Sequence, residues 1–423
     1  MMRPKSRKSR PKNSKPRSLQ SEKVKHLYAS LSNPKKTYEN LPTEILTQIF
    51  EYLTLKELVQ CGNTCQRWKL VISDTEKLWK MANLTGKEVP VSFLNHLCSR
   101  GTKYLSIQKA RLIKDEEFSD IQESKFTHLN LSGTMSYDYR YQVSDVMEKL
   151  LKSCHFVKKL ALKSEMLNPN FLTGIIQNAS TLTVLNLWFC KGLTLDMIDA
   201  IFTNCQELTE VNIGVTSGQD RYSIFEEEEV GIFCKKISPK LQKLNLGGLQ
   251  VKNCHIQKLV ERCPNITELY LHATPLQDDC VDIIVKGFFK TLEKLQLPYF
   301  INLAALQERR NQLRALGPND PRPIGPPKLS LGDLPNLTHL WFRQHSLEED
   351  EKEILNRMLP KTIINRGNFY VARPNGAFWD VKCDRSDLFV AKEKPRMDYE
   401  SLTYIQMRDF IMSQAYGDIP ANP

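Results

Sequence analysis

The sequence predicts an α/β fold: three short helices lead into a solenoid of strand-plus-helix repeats, with a parallel concave sheet, outer helices and an extended C-terminal tail. Two observations predict it. Residues 41–79 place apolar side chains at helical spacing, in bursts too short for long helices. Beyond residue 100 one phrase keeps returning: an apolar residue, two others, an apolar residue, one other, an apolar residue.

The chain opens on charge. Residues 1–25 hold ten Lys or Arg against Glu22 alone, a net +9 that leaves only +2 of the +11 total for everything after it. Rich in Pro, Ser and Lys, residues 1–38 cannot bury enough apolar surface to fold and are expected to form a disordered basic tail. Such a cluster reads as a nuclear import signal, a nonspecific phosphate binder or a solvated end; sequence-specific nucleic-acid binding is not expected of it. No apolar run approaches the ~18 residues needed to span a bilayer, and the first thirty residues lack the apolar core of a signal peptide. The eleven cysteines show no paired metal spacing and read as reduced, buried thiols. Nuclear and cytoplasmic localisation follows as the expectation.

The first folded unit, residues 39–80, is unusually apolar. Pro42 sits where a first helical turn tolerates a missing N–H, and Glu44 suits the helix dipole. Ile45, Leu46, Ile49, Phe50 and Leu53 recur at spacings of three and four; Leu55, Leu58 and Val59 open a second helix, and Trp68, Val71, Ile72, Leu78 and Trp79 follow. Units below about 40 residues seldom stand alone, so this one is expected to dock onto something. The order LPTEILTQIFEYLTLKELVQCGNTCQRW resembles the F-box. That resemblance implies binding to a Skp-type adaptor and, through it, a cullin. The positions that carry over for the adaptor are Leu41, Pro42, Ile45, Leu46, Ile49, Phe50, Leu53, Leu58, Trp68 and Trp79, with Trp68 and Trp79 turned inward and Leu41, Pro42, Ile45 and Ile49 outward.

Residues 81–125 read as a linker and first repeats, with a weak copy of the phrase at Leu105-Ile107. From 126 to 365 the phrase is regular, as in Phe126-Leu129-Leu131, Val157-Leu160-Leu162 and Leu182-Leu185-Leu187. Its central positions 105, 129, 160, 185, 211, 244, 269 and 295 lie 24 to 33 residues apart, the leucine-rich-repeat period. Each phrase supplies a strand with inward leucines, and a segment such as Met197-Ile198-Ala200-Ile201-Phe202 supplies the covering helix. Cys154, Cys205 and Cys263, just before strands, suit a tight buried turn. One unit cannot hide its apolar face, whereas about nine stacked units can.

Leu295 and Leu340 stand 45 residues apart, so 302–333 is a Pro/Gly-rich surface excursion. Tyr137, Tyr139 and Tyr141 crowd a second long loop, and Glu226–Glu229 read as a solvated helix face. After Leu359 the phrase decays; 366–423 is a C-terminal tail that either caps the last repeat or folds back over the concave sheet.

No catalytic grouping is found: no phosphate loop, HExxH, GxSxG or zinc-type ring pattern. The expected function is therefore binding, with no cofactor and no metal. Residues flanking the inward leucines face the concave side, because side chains alternate along a strand. In those columns Lys159, Lys163, Lys243, Lys294 and Arg343 face only Glu210 and Glu268. Trp188, Tyr270 and Trp341 are expected on the open face as interface anchors, with His272 beside them. The candidate substrate site is Lys159, Lys163, Trp188, Tyr270, His272, Trp341 and Arg343, suited to an acidic or phosphorylated peptide; the alternatives are plain solvated sheet or a face covered by the chain's own tail.

An F-box followed by cysteine-bearing leucine-rich repeats resembles the F-box/leucine-rich-repeat substrate receptors of SCF ubiquitin ligases. Leu78-Trp79-Lys80-Met81-Ala82-Asn83-Leu84-Thr85-Gly86-Lys87, with Ala372-Arg373-Pro374 and Trp379-Asp380-Val381-Lys382-Cys383, is similar to the S-phase kinase-associated members of that group. The resemblance implies a noncatalytic substrate-recognition subunit that recruits phosphorylated cell-cycle proteins, cyclin-dependent-kinase inhibitors, for ubiquitination, helped by a Cks accessory subunit. Two other readings stay open: an adaptor-bound scaffold without a ligase role, and a nucleic-acid-associated protein acting through the basic tail.

Overall fold

The computed structural model describes residues 41–115, 123–136, 143–162, 167–214, 227–277, 279–298, 331–341 and 349–364. The basic tail 1–38, the Tyr137–Tyr141 loop, Lys163, Arg343, most of the 302–333 excursion and the C-terminal tail 366–423 lie outside these residues.

Three short helices come first: α1 (Thr43–Phe50), α2 (Leu55–Gly62) and α3 (Gln66–Asp74). Pro42 stands at the N-cap of α1, one residue before the position its sequence suggested. Thr54 caps α2 in a reciprocal box: its hydroxyl accepts the Glu57 N–H at 3.3 Å, and Glu57 accepts the Thr54 N–H at 2.7 Å. The Cys65 thiol begins α3 by accepting the Trp68 N–H. Two of the last carbonyls of α3 are satisfied from further along the chain, Ile72 by the Trp79 indole N–H at 2.7 Å and Ser73 by Arg100 at 2.5 Å.

The long sheet takes over at once. Its strands are β1 (Met81–Asn83), β3 (Tyr104–Ser106), β5 (His128–Asn130), β7 (Lys159–Ala161), β8 (Val184–Asn186), β9 (Glu210–Asn212), β10 (Lys243–Asn245), β11 (Glu268–Tyr270), β12 (Lys294–Gln296), β13 (His339–Trp341) and β14 (Ile363–Ile364). All eleven run parallel in chain order. A second parallel sheet, β2 (Glu88–Pro90), β4 (Arg111–Ile113) and β6 (Met135–Ser136), accompanies the first repeats. The helices that follow are α4 (Val91–Ser99), α5 (Val143–Lys152), α6 (Pro169–Gln177), α7 (Leu195–Asn204), α8 (Glu227–Lys236), α9 (Asn253–Arg262), α10 (Cys280–Gly287) and α11 (Glu349–Met358).

The register explains the repeat. Leu105, Leu129, Leu160, Leu185, Val211, Leu244, Leu269, Leu295 and Leu340 pair with one another strand by strand, and all are at most 3% exposed. At roughly 4.8 Å per strand each leucine packs on the one before and the one after, and each such burial stabilises by about 2 kcal/mol. Among the described residues of 81–125 the repeats begin at once. Trp79, Ala82 and Leu84 already follow the phrase, and Ala82 pairs with Leu105. An alanine in the central slot hides the period, because it supplies little apolar signal. One buried cluster runs from Leu46 to Leu359, so the helical unit and the solenoid share a core.

The turn cysteines are packing groups. Cys154, Cys205 and Cys263 are fully buried, and burial pushes their thiols up, to about 11, 12 and 12. Asn178, after α6, ties two repeats together: its amide donates to Gly174 O (2.9 Å) and Cys154 O (2.8 Å), and its Oδ1 accepts the Val157 N–H (2.9 Å). It is 1% exposed. Asn178→Ala removes all three bonds. The Val157 N–H loses its side-chain partner, whereas the Cys154 carbonyl keeps the Gln177 amide at 2.6 Å, so about 2 kcal/mol is expected to be lost in chemical denaturation; a loss below about 1 kcal/mol would show that the backbone re-pairs by itself.

Candidate functional site

Two surfaces qualify. The first is α1. Leu46 and Phe50 point inward at 1% exposure, while Ile45, Ile49 and Tyr52 are 40%, 45% and 58% exposed. These three recur at spacings of four and three and form an apolar stripe beside the exposed Pro42. Among the adaptor candidates, Leu41, Leu53 and Trp68 are half-buried, and Leu46, Phe50, Leu58 and Trp79 are core. Phe50 meets Trp68 edge-on at 5.4 Å, and Trp79 meets His96 on α4 edge-on at 5.0 Å. Burial, with the Arg100 guanidinium second, pushes His96 down to about 4, so it stays neutral in that joint at neutral pH. Arg67 donates to the Leu41 carbonyl and holds the start of α1 against α3. The core residues of this set act by shaping the stripe. Tyr52 was missed by sequence reasoning, although the four-then-three spacing from Ile45 and Ile49 points to it.

The second surface is the open strand face. Here the structure corrects the sequence in two respects. Trp188, Tyr270 and Trp341 are not open anchors: they are 8%, 4% and 8% exposed. Same-face neighbours on adjacent strands crowd each other. Trp341 stacks on His339 at 5.4 Å and on Tyr270 at 6.5 Å, and Trp188 leans on Phe189 at 5.9 Å. His272 is half-buried, its ring 1.9 Å from where a Cβ on Gly247 would lie, so any larger residue at 247 would have to displace the ring.

The excess of positive charge is also smaller than the columns suggest. Lys243 lies 3.0 Å from Glu210 and 3.8 Å from Glu268, and Lys294 lies 3.0 Å from Glu268. The Tyr270 hydroxyl donates to Glu268 as well, at 2.7 Å. Burial pulls the Glu268 carboxyl upward, but Tyr270, Lys294 and Lys243 together outweigh it and hold the group below its ordinary value. Of the five cations, Lys243 and Lys294 are spent within the face. Lys159 has no carboxylate partner among the described residues, and Lys163 and Arg343 lie outside them.

A small, shallow hollow opens over β8–β11, lined by Val184, Asn186, Glu210, Asn212, Asn245 and Tyr270 among others. Its asparagines turn inward to the chain: Asn186, Asn212 and Asn245 each accept the N–H two residues on, at 3.0, 3.2 and 2.8 Å.

One group among the described residues has metal-ligand types within 4.8 Å of one another: Glu227, Cys254 and His255. The Lys252 ammonium already sits on Glu227, and His255 Nδ1 accepts the Lys252 N–H at 3.1 Å. Glu227 and His255 are thus spent on pairing α8 with α9 and on capping α9. Among the described residues no helix is long and apolar enough to cross a membrane.

Two family models match the chain along this division. The family model described as the SKP2 LRR domain matches residues 92–317, and the one described as F-box-like matches residues 38–85. Among solved structures, a leucine-rich-repeat protein of Leptospira interrogans is similar at 15% identity, covering 69% of this chain and 74% of its own, with a TM-score of 0.36. The Rad7–Elc1 complex in yeast is similar at 13% identity, covering 82% and 92%, with a TM-score of 0.35.

Proposed function

The chain belongs to the SKP2 LRR domain family and carries an F-box-like unit ahead of its repeats, and from that premise we propose that it is the noncatalytic substrate-recognition subunit of a cullin-based SCF ubiquitin ligase. An F-box implies a Skp-type adaptor. The observation that carries the reading is the exposed stripe of Ile45, Ile49 and Tyr52, set on helices whose other face is locked into the solenoid. So much apolar surface on an eight-residue helix and the turn after it asks for a partner, and a partner held there is held in fixed geometry to the strand face. Catalysis then needs no reactive group in this chain: presenting a target lysine beside a thioester carried elsewhere raises its effective concentration. The finer reading is that the delivered proteins are phosphorylated cell-cycle inhibitors, that a Cks subunit assists, and that the protein works in nucleus and cytoplasm.

The test is co-purification from cells followed by depletion. Adaptor and cullin are expected with the wild-type chain, and depletion is expected to lengthen the half-life of a specific protein. Adaptor without any stabilised target would favour a scaffold, and absence of both adaptor and cullin would overturn the reading.

A further inference from the structure

Charge on the strand side of the solenoid is divided unevenly along its length. From β9 to β13 the leading strand positions and the residues just before them hold Lys243 and Lys294 against Glu210, Glu268 and Glu293, and the ion pairs at 3.0 Å described above neutralise them. From β1 to β7 the same positions read Lys80, Met81, Lys103, Tyr104, Thr127, His128, Lys158 and Lys159, with no acidic residue.

These residues form one row. The Lys103 N–H donates to Lys80 O (2.9 Å), Thr127 to Lys103 O (2.8 Å) and Lys158 to Thr127 O (2.7 Å), so the backbone fixes their order along the rim. Lys80 Nζ stands 6.0 Å over the Tyr104 ring, and that ring lies 4.6 Å from His128. Lys103 and Lys158 are exposed and Lys159 half-exposed; none of the three has a carboxylate partner among the described residues. Glu76, the acidic neighbour on the helical unit, is taken by Lys125 at 2.9 Å. Burial first, then Lys159 and Lys158, push His128 down to about 4, so both ammonium groups are felt at that ring.

We propose that the rim of β1, β3, β5 and β7, through Lys103, Lys158 and Lys159, is a docking surface for an extended acidic segment of a delivered protein. Three strand spacings of roughly 4.8 Å make a row about 14 Å long, which about five residues of extended chain at ~3.3 Å each would cross. Phosphate and carboxylate share the required chemistry, since ammonium groups act on both as point charges. The proposal rests on the receptor reading only in calling the ligand a delivered protein, because peptide binding needs no adaptor.

The test uses the full chain and two fluorescein-labelled ten-residue probes, one with alternating glutamate and one with alternating phosphoserine, by fluorescence anisotropy. Lys103→Glu/Lys158→Glu/Lys159→Glu is expected to weaken both by about tenfold or more, since several modest exposed ion pairs add. The matched reversal Lys235→Glu/Lys286→Glu/Lys290→Glu is expected to change binding by less than about twofold, because these exposed lysines lie away from the row. Every variant keeps the basic residues 1–25, so that background cancels. Lys103→Arg/Lys158→Arg/Lys159→Arg is expected to bind as the wild type does. Loss of only the phosphoserine probe would assign the row to phosphorylated ligands, and loss of only the other to carboxylates. Equal loss in the matched reversal, loss in the arginine variant, or no loss in the first variant would overturn the proposal. Adaptor capture by the first variant is expected to be unchanged, which separates failure here from failure of the receptor reading.

Discussion

Trp79→Ala is expected to release the helical unit from the solenoid, at a cost of about 5 kcal/mol. The Trp79 side chain is 0% exposed, and emptying so large a site costs about 3–5 kcal/mol because neighbours only partly collapse into it. Its indole N–H also satisfies the Ile72 carbonyl at 2.7 Å, one of the terminal acceptors of α3, and a buried acceptor left unpaired costs a further 1–3 kcal/mol, roughly. The edge-on contact with His96 disappears too. Trp79→Phe keeps most of the volume and loses the hydrogen bond, so about 1–2 kcal/mol is expected for it. Because each repeat touches only its neighbours, the damage should stay at one end. Hydrogen exchange would show it: amides of residues 43–113 lose protection in Trp79→Ala, and those of residues 184–296 keep it. Uniform loss across the solenoid would mean that Trp79 does not act as a local joint.

The period of the repeat was legible because a parallel strand buried on its inner face repeats its apolar demand at every turn of the solenoid. Where the demand was met by a small residue, as at Ala82, the first strand escaped notice. The helical unit was legible for the same reason: Leu46 and Phe50 had to be apolar to pack, and Ile45 and Ile49 are apolar although 40% and 45% exposed. The open face was read less well. Alternation says which side a residue faces, but not how closely neighbours approach, so it places Trp188, Tyr270 and Trp341 on an open face although they are 8%, 4% and 8% exposed. Charge summed down a column ignores pairing across strands, and Lys243 between Glu210 and Glu268 is where that sum fails. Asn178 carried no sequence signal, since two of its three bonds depend on two turns meeting 21 to 24 residues apart.

Ile45→Asp combined with Ile49→Asp is expected to abolish capture of the adaptor while the chain stays folded. Both side chains are nearly half exposed, at 40% and 45%, so removing them takes little from the core, and exposed substitutions of this kind usually cost within about 0.5 kcal/mol each. At an interface the same changes act differently. Each deletes an apolar anchor worth about 2 kcal/mol and buries an unpaired carboxylate in its place; since ~1.4 kcal/mol is tenfold in affinity, binding should weaken by well over about a hundredfold. Phe50→Ala serves as the contrast, because Phe50 is core at 1% exposure and its loss should unfold the helical unit before it touches the partner. Wild-type and variant chains purified from the same cells, with unfolding midpoints measured alongside, decide the matter. Unchanged stability with adaptor and cullin absent places the contact on the stripe; unchanged stability with both retained would remove α1 from the interface and leave its exposed isoleucines without a partner.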